Sequence, residues 1–332
     1  MTKIIAYHVR DDEVPFIREW EADHNVAVKI VKDELHDDNV DLAEGFDGLI
    51  YKQRSALSTS DALYQKLRSW GIKQLACRSA GIDTINFQAA KDNDLKITSV
   101  PSDSAPAVAE LVLAHAMQLI RHLPEYRARY QENNYVVNGL RARELSELTI
   151  GIIGVGRIGS TVAKIFTALG AKVVGYDIVE HDEYRSFVEY LSSQEAVLKR
   201  ADVVTLHAYL SEQTTHLIDQ TAFQTMKSTA YLINASRGPV VENQALINAL
   251  EQQQIASAAI DVYDGETKIF NYQFENEIED ADYRKLESMP NVVLSPHVGF
   301  FTDIAVENMV KQSLDDALTI IDGGTSPHEI AF

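Results

Sequence analysis

The sequence is poor in cysteine, in positive charge and in long apolar runs. Cys77 is its single cysteine, so no disulfide can form within the chain. With 30 Lys and Arg against 49 Asp and Glu, the net charge is −19, which opposes binding to nucleic acid or to anionic membranes. No apolar run approaches the ~18 residues of a membrane-spanning helix, and the start of the chain, MTKIIAYHVRDDE, has too short an apolar stretch for a secretion signal. We therefore expect a cytoplasmic protein that binds neither nucleic acid nor membrane.

Strand-like and helix-like segments alternate in both halves of the chain, and 332 residues are enough for two domains. The first half carries strand-like segments at 3–9, 26–31, 47–52, 73–78 and 96–100. The second series begins with LTIGIIGVG at 148–156 and ends with NVVLSPH. Strand and helix alternating at this spacing predict parallel sheets covered on both faces. The predicted fold class is therefore α/β, with two doubly wound parallel-sheet domains.

Three other segments carry structural expectations. The long apolar stretch 107–123 predicts one helix, buried or in a subunit interface, and we interpret its His115 and His122 as structural residues. The acidic and aromatic segment 264–290 predicts an irregular surface insertion. The last thirty residues predict a helix that returns to pack on the first domain.

The motif GVGRIG (154–159) predicts a dinucleotide site, because a strand leads into it and a helix leads out of it. Gly154 permits the tight turn, Gly156 lets the backbone approach a pyrophosphate, and Gly159 allows the helix to pack closely on the strand. Asp177 ends the next strand, 18 residues past Gly159, where it would accept hydrogen bonds from the ribose hydroxyls and disfavour a 2′-phosphate. The predicted cofactor is NAD, and its predicted contacts in this motif are Gly154, Gly156, Arg157, Ile158, Gly159 and Asp177.

Three polar residues follow later strands of the second series, where α/β sheets place their ligands. Arg237 presents a fork suited to a carboxylate. His297 can act as general acid toward a carbonyl and as general base toward a hydroxyl. Glu266, if paired with His297, would favour the protonated imidazole. These three residues are the predicted catalytic set of an oxidoreductase.

Five motifs in this order carry a resemblance to a known family: RSAGID (78–83), GVGRIG, INASRGPVVE, AIDVYDGE and SPHVGFFT. They resemble the D-isomer-specific 2-hydroxyacid dehydrogenases over essentially the whole chain, and most of all the D-lactate and D-2-hydroxyisocaproate enzymes of lactic acid bacteria. The resemblance implies a flavodoxin-like substrate domain (1–100 with 300–332), a Rossmann NAD domain (101–299), a cleft between them and a homodimer.

The resemblance also implies roles for individual residues. Arg237 would bind the carboxylate of a 2-oxo acid, pyruvate or a related acid, and His297 would donate the proton while NADH reduces the carbonyl to the D-2-hydroxy acid. Backbone N–H groups near Ala80 and Gly81 would hold the carboxylate, and Phe300 would line the pocket. Further cofactor contacts are implied at Ala208, Ala235 and Asp261.

Two positions depart from the lactate enzymes of this family. Lys52 stands where they usually have tyrosine or leucine, and Asp103 stands where they usually have a tyrosine. Lys52 could hold the distal carboxylate of a larger or dicarboxylic substrate such as 2-oxoglutarate. Alternatively, Lys52 and Asp103 pair with each other and leave a small polar pocket.

Two other activities on the same scaffold are weighed against this prediction. The resemblance extends to NAD-sensing regulatory proteins, but the complete Arg237, Glu266 and His297 set favours an enzyme. A formate dehydrogenase would require glutamine in place of Glu266. A D-lactate dehydrogenase type of activity is therefore the leading prediction.

Overall fold

The computed structural model describes residues 1–58, 60–100 and 105–332. The chain divides into two compact units: unit 1 comprises Met1–Asp103 and Phe301–Phe332, and unit 2 comprises Ser104–Phe300. Both are α/β units with entirely parallel sheets, which confirms the predicted fold class. Within the described residues, no helix combines the length and apolar composition needed to cross a membrane.

The secondary structure alternates as predicted, with shorter strands than the apolar segments suggested. The strands are β1 Lys3–Tyr7, β2 Ala27–Ile30, β3 Gly48–Tyr51, β4 Gln74–Cys77, β5 Lys96–Thr98, β6 Thr149–Ile153, β7 Lys172–Tyr176, β8 Glu189–Tyr190, β9 Val203–Leu206, β10 Tyr231–Asn234, β11 Ser257–Ile260 and β12 Val292–Leu294. The helices are α1 Val14–His24, α2 Ala62–Ser69, α3 Phe87–Asp92, α4 Ala105–Ile120, α5 Leu123–Gln131, α6 Arg157–Ala168, α7 Gln194–Arg200, α8 Gln220–Thr225, α9 Asn243–Glu251, α10 Ala281–Ser288 and α11 Asp303–Ile321.

The sheet of unit 1 has the strand order β2-β1-β3-β4-β5, which is the flavodoxin-like order. Alternate residues of each strand point to opposite faces. In β1, Ile4 packs with the side of the sheet covered by α1 and α11, whereas Ile5 packs with the side covered by α2 and α3. Both residues are fully buried. Helix α11, the last in the chain, thus completes the core of unit 1.

The sheet of unit 2 has the strand order β12-β11-β10-β9-β6-β7-β8. Counted within the unit, this is the Rossmann order 3-2-1-4-5-6 with a seventh strand added at one edge. The strand order reverses between β6 and β9, so the loops that follow these two strands diverge to opposite faces. A ligand crevice is expected at this point, outside the carboxyl ends of the strands.

Two local predictions are wrong. The helix predicted over 107–123 ends at Ile120, and His122 adopts a left-handed backbone (φ 53°) before α5. Pro124 explains the break, because in a continuous helix it would offer no N–H to the Ile120 carbonyl oxygen and its ring would clash with that carbonyl. The insertion predicted to be irregular over 264–290 contains helix α10, whose start is capped by Asp280, since its carboxylate accepts the Tyr283 N–H at 2.9 Å.

Candidate active site

The turn between β6 and α6 has the geometry of a phosphate-binding loop. Gly154 has φ +92°, and a methyl group there would lie 2.6 Å from the Ala208 backbone nitrogen. A methyl group on Gly159 would lie 2.1 Å from the Gly154 carbonyl oxygen, so α6 can approach the turn only because this residue is glycine. The space next to the Gly156 Cα is open. The residues therefore fit a pyrophosphate, which needs close approach to the backbone at this point.

Backbone donors face this open space. Helix α6 begins at Arg157 with Gly156 as its N-cap, and the first N–H groups of a helix have no acceptor within it. No hydrogen bond between described residues uses the N–H of Gly156, Arg157 or Ile158. These donors, together with the positive end of the helix dipole, suit an anionic group.

Asp177 lies one residue past β7 and is held by the backbone on both sides. Its Oδ2 accepts the Val155 N–H at 2.6 Å, and its Oδ1 accepts the Val179 N–H at 3.0 Å. The carboxylate is therefore fixed beside the glycine turn, at the position predicted for a ribose contact. Ile178 and Val179, which follow it, are exposed.

Arg237 follows β10 in a loop that touches the loop after β11. A methyl group on Gly238 would lie 2.2 Å from the Tyr263 carbonyl carbon, so glycine is required where the two loops meet. The Asn234 amide donates to the Arg237 carbonyl oxygen at 3.0 Å. The half-buried Arg237 guanidinium donates from Nη1 to the Ser236 carbonyl oxygen at 2.7 Å. These contacts hold the backbone and the side chain of Arg237 at the carboxyl edge of the sheet.

His297 and Glu266 form a hydrogen-bonded pair at the same edge. The distance between His297 Nδ1 and Glu266 Oε1 is 2.6 Å, and Glu266 Oε2 accepts the Tyr263 N–H at 2.8 Å. The carboxylate fixes the tautomer, because it requires a proton on Nδ1. His297 Nε2 has no hydrogen bond to any described residue, and the His297 side chain is 36% exposed. This nitrogen is therefore available to exchange a proton with a bound reactant.

Asp261, an implied cofactor contact, is buried beside the turn that carries His297. It is 2% exposed, and its carboxylate accepts hydrogen bonds from Ser295, Val298 and Gly299. The structure thus shows it holding the turn that carries His297. Its implied place near the nicotinamide stays a prediction.

The remaining predicted residues of unit 2 lie at or near the same edge. Ala208 and Ala235 are half-buried in the loops after β9 and β10. The Phe300 ring lies edge-on to the His297 ring, with centroids 6.2 Å apart. Arg237, Glu266 and His297 accordingly follow three neighbouring strands, β10, β11 and β12.

In unit 1, Lys52 follows β3 in a cluster of charges. Burial, reinforced by the charge of Arg10, lowers the pKa of Lys52 to about 7, although Glu13 opposes the shift. Arg78 is fully buried, and its Nη2 lies 3.4 Å from Glu13 Oε2. Asp103, the predicted partner of Lys52, lies outside the described residues. The cluster gives Lys52 an environment in which an additional anion would stabilise its charged form.

The RSAGID turn after β4 presents backbone donors. Ser79 Oγ donates to the Gly81 carbonyl oxygen at 2.7 Å, and the Val100 N–H donates to the Ser79 carbonyl oxygen at 3.1 Å. No hydrogen bond between described residues uses the N–H of Ala80 or Gly81. Adjacent free N–H groups of this kind are suited to a carboxylate.

The environment of Asp261 has no local signal in the sequence. His115 Nε2 lies 3.0 Å from Ser295 Oγ, which donates to Asp261 Oδ1 at 2.6 Å. His115 and Ser295 are 180 residues apart in the chain. No local pattern relates two residues at that separation, and only the helix-on-sheet packing brings them together.

Comparison with known proteins identifies the family of this chain. The family model for the D-isomer specific 2-hydroxyacid dehydrogenase NAD binding domain matches residues 113–299. A D-lactate dehydrogenase of Lactiplantibacillus plantarum is 38% identical over 333 residues, which cover 99% of both chains. The NAD-complexed D-isomer specific 2-hydroxyacid dehydrogenase of Lactobacillus delbrueckii ssp. bulgaricus is 39% identical, with a TM-score of 0.87 over 99% of this chain and 100% of that one. A D-lactate dehydrogenase from Sporolactobacillus sp. is 48% identical, with a TM-score of 0.83 over 99% of both chains.

These similarities span the whole chain, and they confirm the family predicted from the five motifs and the NAD cofactor predicted from GVGRIG and Asp177. The glycine turn of residues 154–159 and the fixed carboxylate of Asp177 both lie within the matched region. The chain therefore belongs to the D-isomer specific 2-hydroxyacid dehydrogenases, which are NAD-dependent oxidoreductases.

Proposed function

We propose that this protein reduces pyruvate to D-lactate with NADH, and catalyses the reverse oxidation. The observation that carries the proposal is the pairing of His297 Nδ1 with Glu266 Oε1 at 2.6 Å, with His297 Nε2 free of any hydrogen bond to a described residue. The pair lies at the sheet edge that also carries the glycine turn and Arg237. An acid–base group at the sheet edge that would bind the dinucleotide suits a proton transfer coupled to hydride transfer.

The chain's own residues supply three functions in this reaction. NADH, when bound, supplies the hydride for the carbonyl carbon. His297 donates a proton from Nε2 to the carbonyl oxygen, and Glu266 stabilises the charged imidazole before that transfer. The Arg237 guanidinium binds the substrate carboxylate through its planar fork. In the oxidation direction, the same Nε2 accepts the hydroxyl proton.

The cofactor contacts follow from the turn geometry. We assign the pyrophosphate to the free N–H groups at the start of α6, from Gly156 to Ile158, and the adenosine ribose to Asp177. A negative charge at Asp177 disfavours the 2′-phosphate of NADPH. Ala208, Ala235 and Asp261 remain proposed contacts in the neighbouring loops.

Further substrate contacts are proposed. The N–H groups of Ala80 and Gly81, which donate to no described residue, hold the substrate carboxylate, and Phe300 limits the space beside His297. Pyruvate has only a methyl group beyond its carbonyl, so this proposal requires no cation for a distal group. We also propose that the substrate is bound by the unit made of residues 1–100 and 300–332. NAD is bound by the unit made of residues 101–299.

A second candidate substrate is a dicarboxylic 2-oxo acid. The observation that favours it is the charge cluster around Lys52, in which Arg10 and Arg78 add two positive charges and Glu13 one negative charge. A distal carboxylate would add a negative charge to a cluster in which positive charges predominate. If Asp103 pairs with Lys52 instead, the cation is neutralised and a small neutral side chain is preferred.

NADH oxidation by the purified protein tests the two candidates against each other. Pyruvate, 2-oxoisocaproate, phenylpyruvate, oxaloacetate and 2-oxoglutarate are compared as substrates of the wild type and of Lys52→Leu. Lys66→Leu is the matched control, because Lys66 is an exposed lysine of the same unit that pairs with Asp41. We expect pyruvate to have the highest kcat/KM and to keep most of it in Lys52→Leu.

The other outcomes are equally distinct. If oxaloacetate or 2-oxoglutarate has the highest kcat/KM and Lys52→Leu abolishes its reduction while Lys66→Leu does not, Lys52 determines specificity and the pyruvate proposal fails. If NADH binds tightly and none of these acids is reduced, the protein is a regulatory NAD-binding protein.

We further propose that the protein acts as a homodimer in the cytoplasm. Helix α5 and the residues after it expose large apolar side chains: Leu123, Tyr130, Tyr135, Val136 and Val137. A cluster of this kind on a protein surface is typical of an interaction site. The cytoplasm supplies NADH and keeps a free thiol such as that of Cys77 reduced. Sedimentation equilibrium measures the mass in solution, and a mass of one chain would exclude the dimer.

A further inference from the structure

The turn that carries His297 is organised around one buried carboxylate. Asp261 Oδ1 accepts the Ser295 hydroxyl proton at 2.6 Å and the Val298 N–H at 2.9 Å, and Oδ2 accepts the Gly299 N–H at 3.0 Å. The Asp261 carbonyl oxygen accepts the His297 N–H at 2.7 Å. Residues on both sides of His297 are therefore held by a single side chain of the neighbouring loop.

This support matters because His297 has an unusual backbone conformation. Its φ is +54°, in the left-handed region. A non-glycine residue in that region is strained and persists only where its surroundings require it. The hydrogen bonds to Asp261 hold His297 in this conformation, and His297 is the residue that performs the proposed proton transfer.

His115, on helix α4, determines the direction of the hydrogen bonds that reach Asp261. The Ser295 hydroxyl has one hydrogen, which it uses in its hydrogen bond to the Asp261 carboxylate. Ser295 Oγ must then be the acceptor in its 3.0 Å contact with His115 Nε2, which fixes the Nε2–H tautomer. The order of donation is His115 to Ser295 to Asp261.

The surroundings of His115 keep the imidazole neutral. His115 is 2% exposed, and its Nδ1 is buried with no hydrogen-bond partner among the described residues. Protonation would bury an unpaired N–H at Nδ1, which is costly. Burial lowers the pKa of His115, although the charge of Asp261 opposes the shift. The imidazole is thus a fixed donor at neutral pH.

We propose that His115 is a positioning residue for His297, and that it acts through Ser295 and Asp261. The proposal rests on the proposed function, because it assigns His115 to the placement of the acid–base group. When the Nε2–H donor is lost, the Ser295 hydroxyl is free to rotate, Asp261 loses a directed donor and the 297–299 turn relaxes. A small displacement of an acid–base group can lower a rate by orders of magnitude.

Three variants test the proposal. His115→Leu removes the donor, whereas His115→Gln keeps an N–H at the position of Nε2. Ser295→Ala removes the hydroxyl that links His115 to Asp261. Leu119→Ala is the matched control, because Leu119 is a buried residue one turn further along α4 and belongs to its hydrophobic core. It should lower the melting temperature without disturbing the hydrogen-bonded chain.

The first readout is the single-turnover rate of NADH oxidation with pyruvate, measured together with the NADH dissociation constant. We expect His115→Leu to lower the rate about tenfold to a hundredfold while NADH binding is unchanged. His115→Gln should restore most of the rate, and Leu119→Ala should keep it. The double variant His115→Leu/Ser295→Ala should be no slower than Ser295→Ala alone, because both changes break the same chain.

The second readout needs no turnover. In the NADH-free protein, the Nδ1–H proton of His297 is expected as a downfield NMR signal, since it is hydrogen-bonded to Glu266. It should broaden in His115→Leu and remain sharp in His115→Gln and Leu119→Ala.

The outcomes that overturn the proposal are distinct from those that overturn the proposed function. A wild type that reduces no 2-oxo acid refutes the function. An active wild type whose His115→Leu variant keeps its rate, or loses stability alone as Leu119→Ala does, refutes the role of His115. If His115→Leu fails to fold, the rates of His115→Gln and Ser295→Ala decide: a slow Ser295→Ala beside a fast His115→Gln supports the proposal, and a Ser295→Ala rate equal to that of the wild type refutes it.

Discussion

The carboxyl edges of the two parallel sheets carry different chemistry. In unit 1 the edge holds buried charges, with Arg78 and Glu13 both fully buried and 3.4 Å apart. In unit 2 the edge holds half-exposed groups, with the side chains of His297 and Glu266 36% and 22% exposed. Strand topology alone does not explain this difference, because both sheets are parallel and both are covered by helices.

The difference follows from what each edge must do. A buried charge is stable only next to its partner. The pair of Glu13 and Arg78 therefore holds three segments of unit 1 in contact. Arg78 also donates to the carbonyl oxygens of Tyr7 and His8, at 3.1 and 2.8 Å. A group that exchanges protons with a reactant must remain accessible, as His297 Nε2 is. Loss of a carboxylate should therefore cost stability in unit 1 and activity in unit 2.

The largest expected effect is that of His297→Ala. Removing the acid–base group should lower kcat for pyruvate reduction by about 10²–10⁴-fold, the usual contribution of general acid–base catalysis. NADH binding should remain, because no residue of the glycine turn is altered. Stopped-flow kinetics and NADH fluorescence titration measure the two quantities. A variant that keeps most of its kcat would remove His297 from the mechanism.

The same substitution in the two units compares their edges directly. Glu13→Gln should lower the free energy of unfolding by about 3–5 kcal/mol, since it leaves the Arg78 charge buried without a counter-ion. Glu266→Gln should change the unfolding free energy by less than about 1 kcal/mol, as for other partly exposed pairs. It should lower kcat for pyruvate reduction, because a neutral amide replaces the charged partner of the His297 imidazole. Urea unfolding and stopped-flow kinetics measure both variants, and equal stability losses would contradict the comparison.

The effect of Glu13→Gln should also depend on pH. Burial raises the pKa of Glu13, but the charges of Arg78, Arg10 and Lys52 outweigh it, and the net shift is downward. A carboxyl group with a lowered pKa in the folded state stabilises the protein above its unfolded pKa of about 4.3. The difference in unfolding free energy between the wild type and Glu13→Gln should have its full size at pH 7. It should become smaller as the pH falls below about 4.3. A gap that stays constant down to pH 3 would contradict this.

A smaller effect is expected from Asp177→Asn. The amide keeps an oxygen that can accept the Val155 N–H but removes the negative charge that repels a 2′-phosphate. The ratio of kcat/KM for NADH to that for NADPH should fall by about tenfold, which corresponds to ~1.4 kcal/mol. An unchanged ratio would mean that another residue discriminates between the two cofactors.

Much of the fold was predictable because its signals are local. Short strand-like segments predicted the five strands β1 to β5 of unit 1, and GVGRIG predicted the turn whose Gly154 and Gly159 leave no room for a methyl group. The break at His122 was predictable in principle from Pro124, and helix α10 from its capping residue Asp280. Both were missed because the apolar length of the first segment and the acidic composition of the second outweighed these signals.

The candidate site was only partly predictable. The residue types and their positions after strands indicated Arg237, Glu266 and His297, since a parallel sheet brings the carboxyl ends of its strands to one edge. The left-handed backbone of His297 and the buried place of Asp261 gave no such signal. Both depend on hydrogen bonds between loops that are more than thirty residues apart in the chain.

The amino-acid sequence by itself determined the family, the alternation of strands and helices and the identity of the cofactor. Each of these has a local signal, either a contiguous motif or a periodic pattern of apolar residues. The tertiary structure alone decided which polar groups meet. Glu13 meets Arg78 across 65 residues, and His115 meets Ser295 across 180. Such contacts are formed by the packing of helices on sheets, and a buried polar group has a stable partner only where that packing supplies one.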